Sequence, residues 1–303
     1  MRKWNSSKVP SVLVCLFSAT LLFTLSNGGL LAKGAAKPAA KRPAGGGGGG
    51  SPYPQCLFKG SQVVRWIPQR MPLKVYISHG TCLDGIGLDQ TTGGPLSNVD
   101  NVANWPFLVY PLVKAPDDEN SPANDGLKSL GNADGYNEQL WQAAAQGIGQ
   151  WKRFQNEGLF TFDLTDDPQE ASVFVFWTHH FVNKMGLALF SNDIRGYTSK
   201  NLLPYSKVAA ALNAGRAEDV IKSIRPVVVV LRTTDQVGAN TLPMPPGKMV
   251  AAAAHEMGHV LGIDGHSPNR TDLMSIYYGN GVISANDAAS IRYIYHHNPD
   301  LTP

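Results

Sequence analysis

Apolar and polar positions alternate along Leu73-Lys74-Val75-Tyr76-Ile77-Ser78, the pattern of a half-buried strand. Further on, Leu140, Ala144, Ile148 and Trp151 recur at helical spacing, which predicts an amphipathic helix over residues 137–154. Residues 159–164 and 172–177 read as two more strands. The run Val227-Val228-Val229-Val230-Leu231 is apolar without interruption, as in a strand covered on both faces. Prolines between Thr241 and Gly247 then predict a break in regular structure, followed by a helix that carries Ala251 to Ala254. Small side chains there let a helix approach a sheet closely. Near the end, Ser284-Ala285-Asn286-Asp287 has the S-x-x-D spacing of a helix start. Ala288, Ile291, Ile294 and Tyr295 give that helix its apolar face, and Asn298-Pro299 stops it.

Two regions lack such a pattern. Residues 80–135 are rich in Gly, Asn, Asp and Pro, broken by the apolar stretch from Trp105 to Val113. That is long for a structureless loop and suggests a surface insertion, a cleft rim or a calcium loop. Its acidic residues follow no calcium-ligand spacing, so Ca2+ has no support and they read as turn formers. Residues 200–225 are mixed, with a short helix expected around Ala217 to Ile224 and charges that read as a solvated face.

The first fifty-five residues stand apart. Arg2, Lys3 and Lys8 precede an apolar run over residues 12–25 that is short for a bilayer span. Small residues follow, and residues 1–32 read as a secretory signal peptide, with an uncleaved anchor as the alternative. Residues 33–55 alternate Ala, Lys and Pro before six glycines, a linker composition. The folded domain is therefore expected over residues 56–303, secreted or extracytoplasmic, monomeric and without stable membrane insertion. Seven of the 26 basic residues lie before the glycines, leaving 19 against 23 acidic ones. A folded part that is mildly acidic gives no support to nucleic-acid binding. Beyond the signal only Cys56 and Cys82 remain, and an exported pair most simply forms one disulfide.

The chemistry concentrates in His255-Glu256-Met257-Gly258-His259-Val260-Leu261-Gly262, followed by His266. Histidines four apart on a helix share a face, so His255 and His259 can meet on one metal ion. Glu256 is poorly placed as a ligand and well placed to act on water beside the metal. Gly262 can end the helix in the left-handed conformation, and the chain then returns to His266 as a third nitrogen donor. Three neutral imidazoles leave one zinc position open, as catalysis requires. No glutamate follows Glu256, which excludes a downstream glutamate as the third ligand. The pairs His179-His180 and His296-His297, with His79, read as ordinary surface residues.

At these residues the chain resembles the metzincin metalloproteases. HEMGHVLGIDGHS is similar to their zinc signature, with wording closest to the matrixin branch, and Asp272-Leu273-Met274-Ser275 is similar to their methionine turn. The order strand, long helix, strand, strand and the closing helix are also similar to matrixins. There is one departure from HExxHxxGxxH: an extra residue, in effect Gly265, stands before the last histidine. A bulge at glycine absorbs the offset if His266 is the ligand. Asp264 is the main competitor, because some relatives use a carboxylate, and Asp272 is another.

The resemblance implies an α+β, zincin-like domain with a twisted, mostly parallel sheet, an active-site helix and a C-terminal helix. It implies one catalytic zinc on His255, His259 and His266, with Glu256 as general base toward a zinc-activated water. The substrate is then protein or peptide, lying extended along an edge strand that the sequence alone does not identify. A tyrosine near the methionine turn serves some metzincins, usually two residues after the methionine. Ile276 holds that place here, so Tyr277 and Tyr278 stay outside the expected site. The prosegment cysteine motif of matrixins is absent around Cys56. The alternative from another class is a zinc-binding adhesion domain without catalysis.

Overall fold

The computed structural model describes residues 49–83, 102–113, 126–181, 190–191 and 193–303. The expected signal peptide, nearly all of the linker and parts of the 80–135 insertion lie outside the described residues. Strands and helices follow as β1 (Leu73–Cys82), α1 (Trp105–Val113), α2 (Glu138–Gly149), β2 (Phe162–Thr165), β3 (Val173–Thr178), β4 (Gly196–Ser199) and β5 (Leu203–Pro204). Then come α3 (Tyr205–Asn213), α4 (Ala217–Ser223), β6 (Val227–Arg232), β7 (Thr234–Val237), β8 (Asn240–Pro243), α5 (Pro246–Leu261), α6 (Ala285–His296) and β9 (Leu301–Thr302). A 3-10 segment, Gln150–Glu157, continues α2 past Trp151.

Five strands form one sheet in the order β2-β1-β3-β6-β4. The first four run parallel, and β4 closes one edge antiparallel to β6 with Thr198 opposite Val229. This is the expected α+β architecture with a mostly parallel sheet. Helices cover both faces, which explains why β3 and β6 are buried at every position. On one face Val75, Val173, Val175, Trp177, Val229 and Leu231 pack with α2 and α5. On the other, Phe174, Phe176, Val228 and Val230 pack with Trp105, Val109 and Val113 of α1. The apolar stretch within the insertion is thus a helix that seals the sheet.

Small residues bring α2 and α5 together. A Cβ on Gly147 would strike the Val250 carbonyl and come within 2.9 Å of the Ala254 nitrogen. Trp151 Nε1 donates to the Ala254 carbonyl at 2.7 Å, across the same contact. The alanines before His255 therefore pack against a helix as well as the sheet. Helix α5 stops at Gly262, whose φ of +119° and contact with the Val64 carbonyl leave no place for a side chain.

The predicted cap of α6 is present as a reciprocal capping box between Ser284 and Asp287. Two other expectations change. Within the stretch read as the end of the linker, Ser51 N–H donates to Asn286 of α6, and Tyr53 is buried with its hydroxyl donating to Asp287 at 3.3 Å. No disulfide joins Cys56 and Cys82. Cys56 is held in the 3-10 turn Pro54–Cys56, where its carbonyl accepts from Asp264 N–H. Cys82 is fixed at the end of β1, beside Trp177, and its N–H donates to Gly131. Each backbone has a different anchor, and burial pushes the Cys56 thiol up to about 11.

Candidate metal centre

Helix α5 places His255 and His259 one turn apart with their rings 4.8 Å between centroids. His255 Nδ1 lies 2.8 Å from the Leu273 carbonyl, and His259 Nδ1 lies 2.7 Å from the Ile263 carbonyl. A carbonyl can only accept, so both rings carry their proton on Nδ1 and present Nε2 lone pairs inward. Those two Nε2 atoms stand 3.1 Å apart. Two neutral acceptors cannot share a hydrogen bond, and burial holds both rings neutral: His255 is pushed down to about 3, His259 well below its ordinary value. Converging lone pairs of this kind fit a cation. His266 completes the set, with the ligand atoms of all three histidines within 4.8 Å of one another. His266 is exposed on the solvent side, with its ring 5.1 Å from each partner. Three imidazole nitrogens suit zinc among the common metals.

The offset before His266 is absorbed as a paired loop. Asp264 N–H donates to the Cys56 carbonyl and Gly265 N–H to the Gln55 carbonyl, at 3.0 and 2.9 Å. A Cβ on Gly265 would stand 2.6 Å from that Gln55 oxygen, so glycine is required. The two carboxylate competitors are engaged elsewhere. Asp264 pairs with Lys200 Nζ at 3.4 Å. Buried Asp272 accepts from Ser267 Oγ at 2.6 Å and from Asn286.

The methionine turn lies beneath the histidines. Met274 is fully buried against Gly258, where a Cβ would meet its sulfur and the Trp151 ring. Asp287, wholly buried in the first turn of α6, accepts from Leu273 N–H at 2.9 Å and Met274 N–H at 3.3 Å. The chain of contacts runs from α6 through the turn to the Nδ1 proton of His255.

Glu256 is buried beside the triad, and burial pushes its carboxyl up to about 8, against the pull of Thr198 and Lys200. Thr198 Oγ1 donates to Glu256 Oε2 at 2.7 Å. Lys200 Nζ donates to the His259 carbonyl at 3.1 Å, so this lysine is buried chemistry and not the solvated charge expected from its neighbours. These groups border a cavity of about 420 Å3 whose walls include Phe58, Phe190, Ile194, Tyr197, Leu202 and Ile276.

Sequence reasoning missed Thr198 and Lys200, because both act across more than 55 residues, and left out Tyr278. That tyrosine is buried with φ +60°, its ring 4.6 Å from His255. Its hydroxyl accepts from Arg195 N–H at 3.0 Å and from Gly196. A non-glycine residue held at positive φ in a site was the available signal, and only coordinates reveal it. Tyr277 is exposed under the Arg270 guanidinium. The other histidines lie apart: His179 Nδ1 sits 3.2 Å from the Asp134 carbonyl, and His79 stacks on Trp141.

The matrixin family model matches residues 244–296, which span α5, the His266 loop, the methionine turn and α6. No curated protein matches the chain. The match and the histidine triad together support the metzincin resemblance and point to a metallopeptidase with a zinc-type site.

Proposed function

We propose that this protein is a secreted zinc-dependent endopeptidase. One observation carries the reading: three imidazoles converge from α5 and its following loop, with the Glu256 carboxylate alongside them. His255, His259 and His266 would hold the ion, and neutral rings with fixed Nδ1 protons suit them to it. Zinc bound there supplies Lewis acidity, polarising a carbonyl and making water more acidic.

Glu256, whose ionised form a cation on the three histidines would favour, takes the proton of the attacking water and passes it to the leaving amine. Among the described residues no strand pairs with the outer side of β4, an edge suited to binding an extended peptide through its backbone rather than through one sequence. Apolar walls at Phe190, Ile194, Leu202 and Ile276 suit an apolar side chain next to the cleaved bond. The basic and apolar N-terminal pattern supports export. Among the described residues no helix is long and apolar enough to cross a membrane.

Glu256→Ala tests the reading. Cleavage of a mixed peptide library is expected to fall by about a thousandfold or more while bound zinc stays at one per chain. Unchanged cleavage would remove Glu256 from the chemistry. Absence of cleavage in the wild type, with zinc bound, would favour the adhesion-domain alternative. Mass spectrometry of the secreted protein, finding an N-terminus near residue 33, tests export.

A further inference from the structure

Residues 196, 198 and 200 alternate to the same side of β4 and its extension, and each meets the helix that carries the site. At Gly196 a Cβ would fall 2.6 Å from Glu256 Cγ and 2.8 Å from Oε1, so the strand passes directly under the carboxylate. At position 198 the hydroxyl reaches Glu256 twice, 2.7 Å from Oε2 and 3.2 Å from its backbone carbonyl. Lys200 reaches His259 and Asp264. A hydroxyl has one proton, and the shorter contact, to Oε2, claims it.

We infer that Thr198 is a positioning residue for the proposed reaction, holding Glu256 Oε2 so that Oε1 is the oxygen left to act as base. This rests on the function proposed above. A glutamate side chain has three torsions to fix, and in a buried site an unsecured carboxylate samples several rotamers. Threonine suits the task because its branched Cβ restricts χ1 and its strand is locked opposite Val229. The hydroxyl is therefore nearly as fixed as the sheet. Strand β4 then has two roles at once, as the sheet edge proposed for a substrate backbone and as the support of the base. Disturbing the edge should disturb the chemistry even when substrate still binds.

Thr198→Val removes the hydroxyl with little change in shape, and Thr198→Ser keeps it. For Thr198→Val we expect kcat to fall about 10- to 100-fold, with KM and zinc affinity within about twofold of wild type. Thr198→Ser should recover most of the loss. A kcat within about twofold in Thr198→Val would overturn the inference. So would a rise in KM alone, loss of zinc, or a serine variant no better than valine, since each assigns Thr198 to packing or substrate binding. Crystal structures of the metal-free variants give a readout independent of turnover. Glu256 should occupy one rotamer in wild type and Thr198→Ser and split in Thr198→Val. If wild type cleaves no peptide, the functional proposal fails, and the rotamer comparison still decides whether Thr198 positions Glu256.

Discussion

Asp287→Ala should damage both stability and metal binding, because one carboxylate ties three segments together. It accepts from Leu273 N–H and Ser284 N–H at 2.9 Å each, and from Met274 N–H and the Tyr53 hydroxyl at 3.3 Å each. The side chain is fully buried. Alanine leaves four donors without an acceptor, each costing about 1–3 kcal/mol, with the two short bonds dominant. Relief of the buried charge and entry of water offset part of this, so about 4 kcal/mol is the expected net loss. For a domain of this size that corresponds to a Tm lower by about 8–16 °C. Asp287→Asn keeps the volume and one acceptor and should lose about half as much. The Leu273 carbonyl orients His255, so zinc affinity measured by chelator competition should fall about tenfold or more in Asp287→Ala. Thermal melts of the metal-free protein separate the two effects. A Tm within about 2 °C of wild type would refute the stability estimate. A large Tm loss with unchanged zinc affinity would refute the link through the methionine turn.

Lys200→Met should weaken zinc binding about tenfold, because Asp264 loses its ion pair with Lys200 and the loop that carries His266 loses that support; equal affinity would show that the pair is incidental. Gly265→Ala should have a similar or larger effect, since its Cβ must displace the Gln55 carbonyl, and a wild-type affinity would contradict the paired-loop account of the extra residue. Zinc affinity should fall less than tenfold from about pH 8 to about pH 6, because burial lowers the pKa of His255 and His259. Protons compete with a metal only as the pH approaches the ligand pKa, so depressed values move that competition to lower pH. A tenfold loss across that interval, followed by equilibrium dialysis, would contradict the burial.

The parts of the molecule governed by local period were readable in advance. Helix α5, its glycine stop, the helix cap at Ser284 and the buried strand β6 each follow from spacing within a dozen residues. The histidines were found because a metal needs them on adjacent turns. Strand β4 was not visible, since Gly196, Tyr197, Thr198 and Ser199 alternate by their partners and not by hydropathy. Gly196 is chosen by the nearness of Glu256, and Thr198 by its carboxylate. Lys200 looked solvated because Asp264, which makes its burial tolerable, lies far along the chain. Hairpin β7–β8 occupies a stretch whose prolines suggested a break, and Pro243 is accommodated at its end on an exposed strand. The cysteine pair misled because an even count in an exported chain says nothing of where two backbones are anchored.

The central claim is that one ion sits among three imidazoles with a coordination position left for chemistry. X-ray absorption at the zinc edge on the purified, zinc-loaded protein tests it most directly. His255, His259 and His266 predict three nitrogen neighbours at about 2.0–2.1 Å and one light oxygen neighbour from solvent. A spectrum unchanged by His266→Ala, or a fourth protein ligand closing the site, would contradict it.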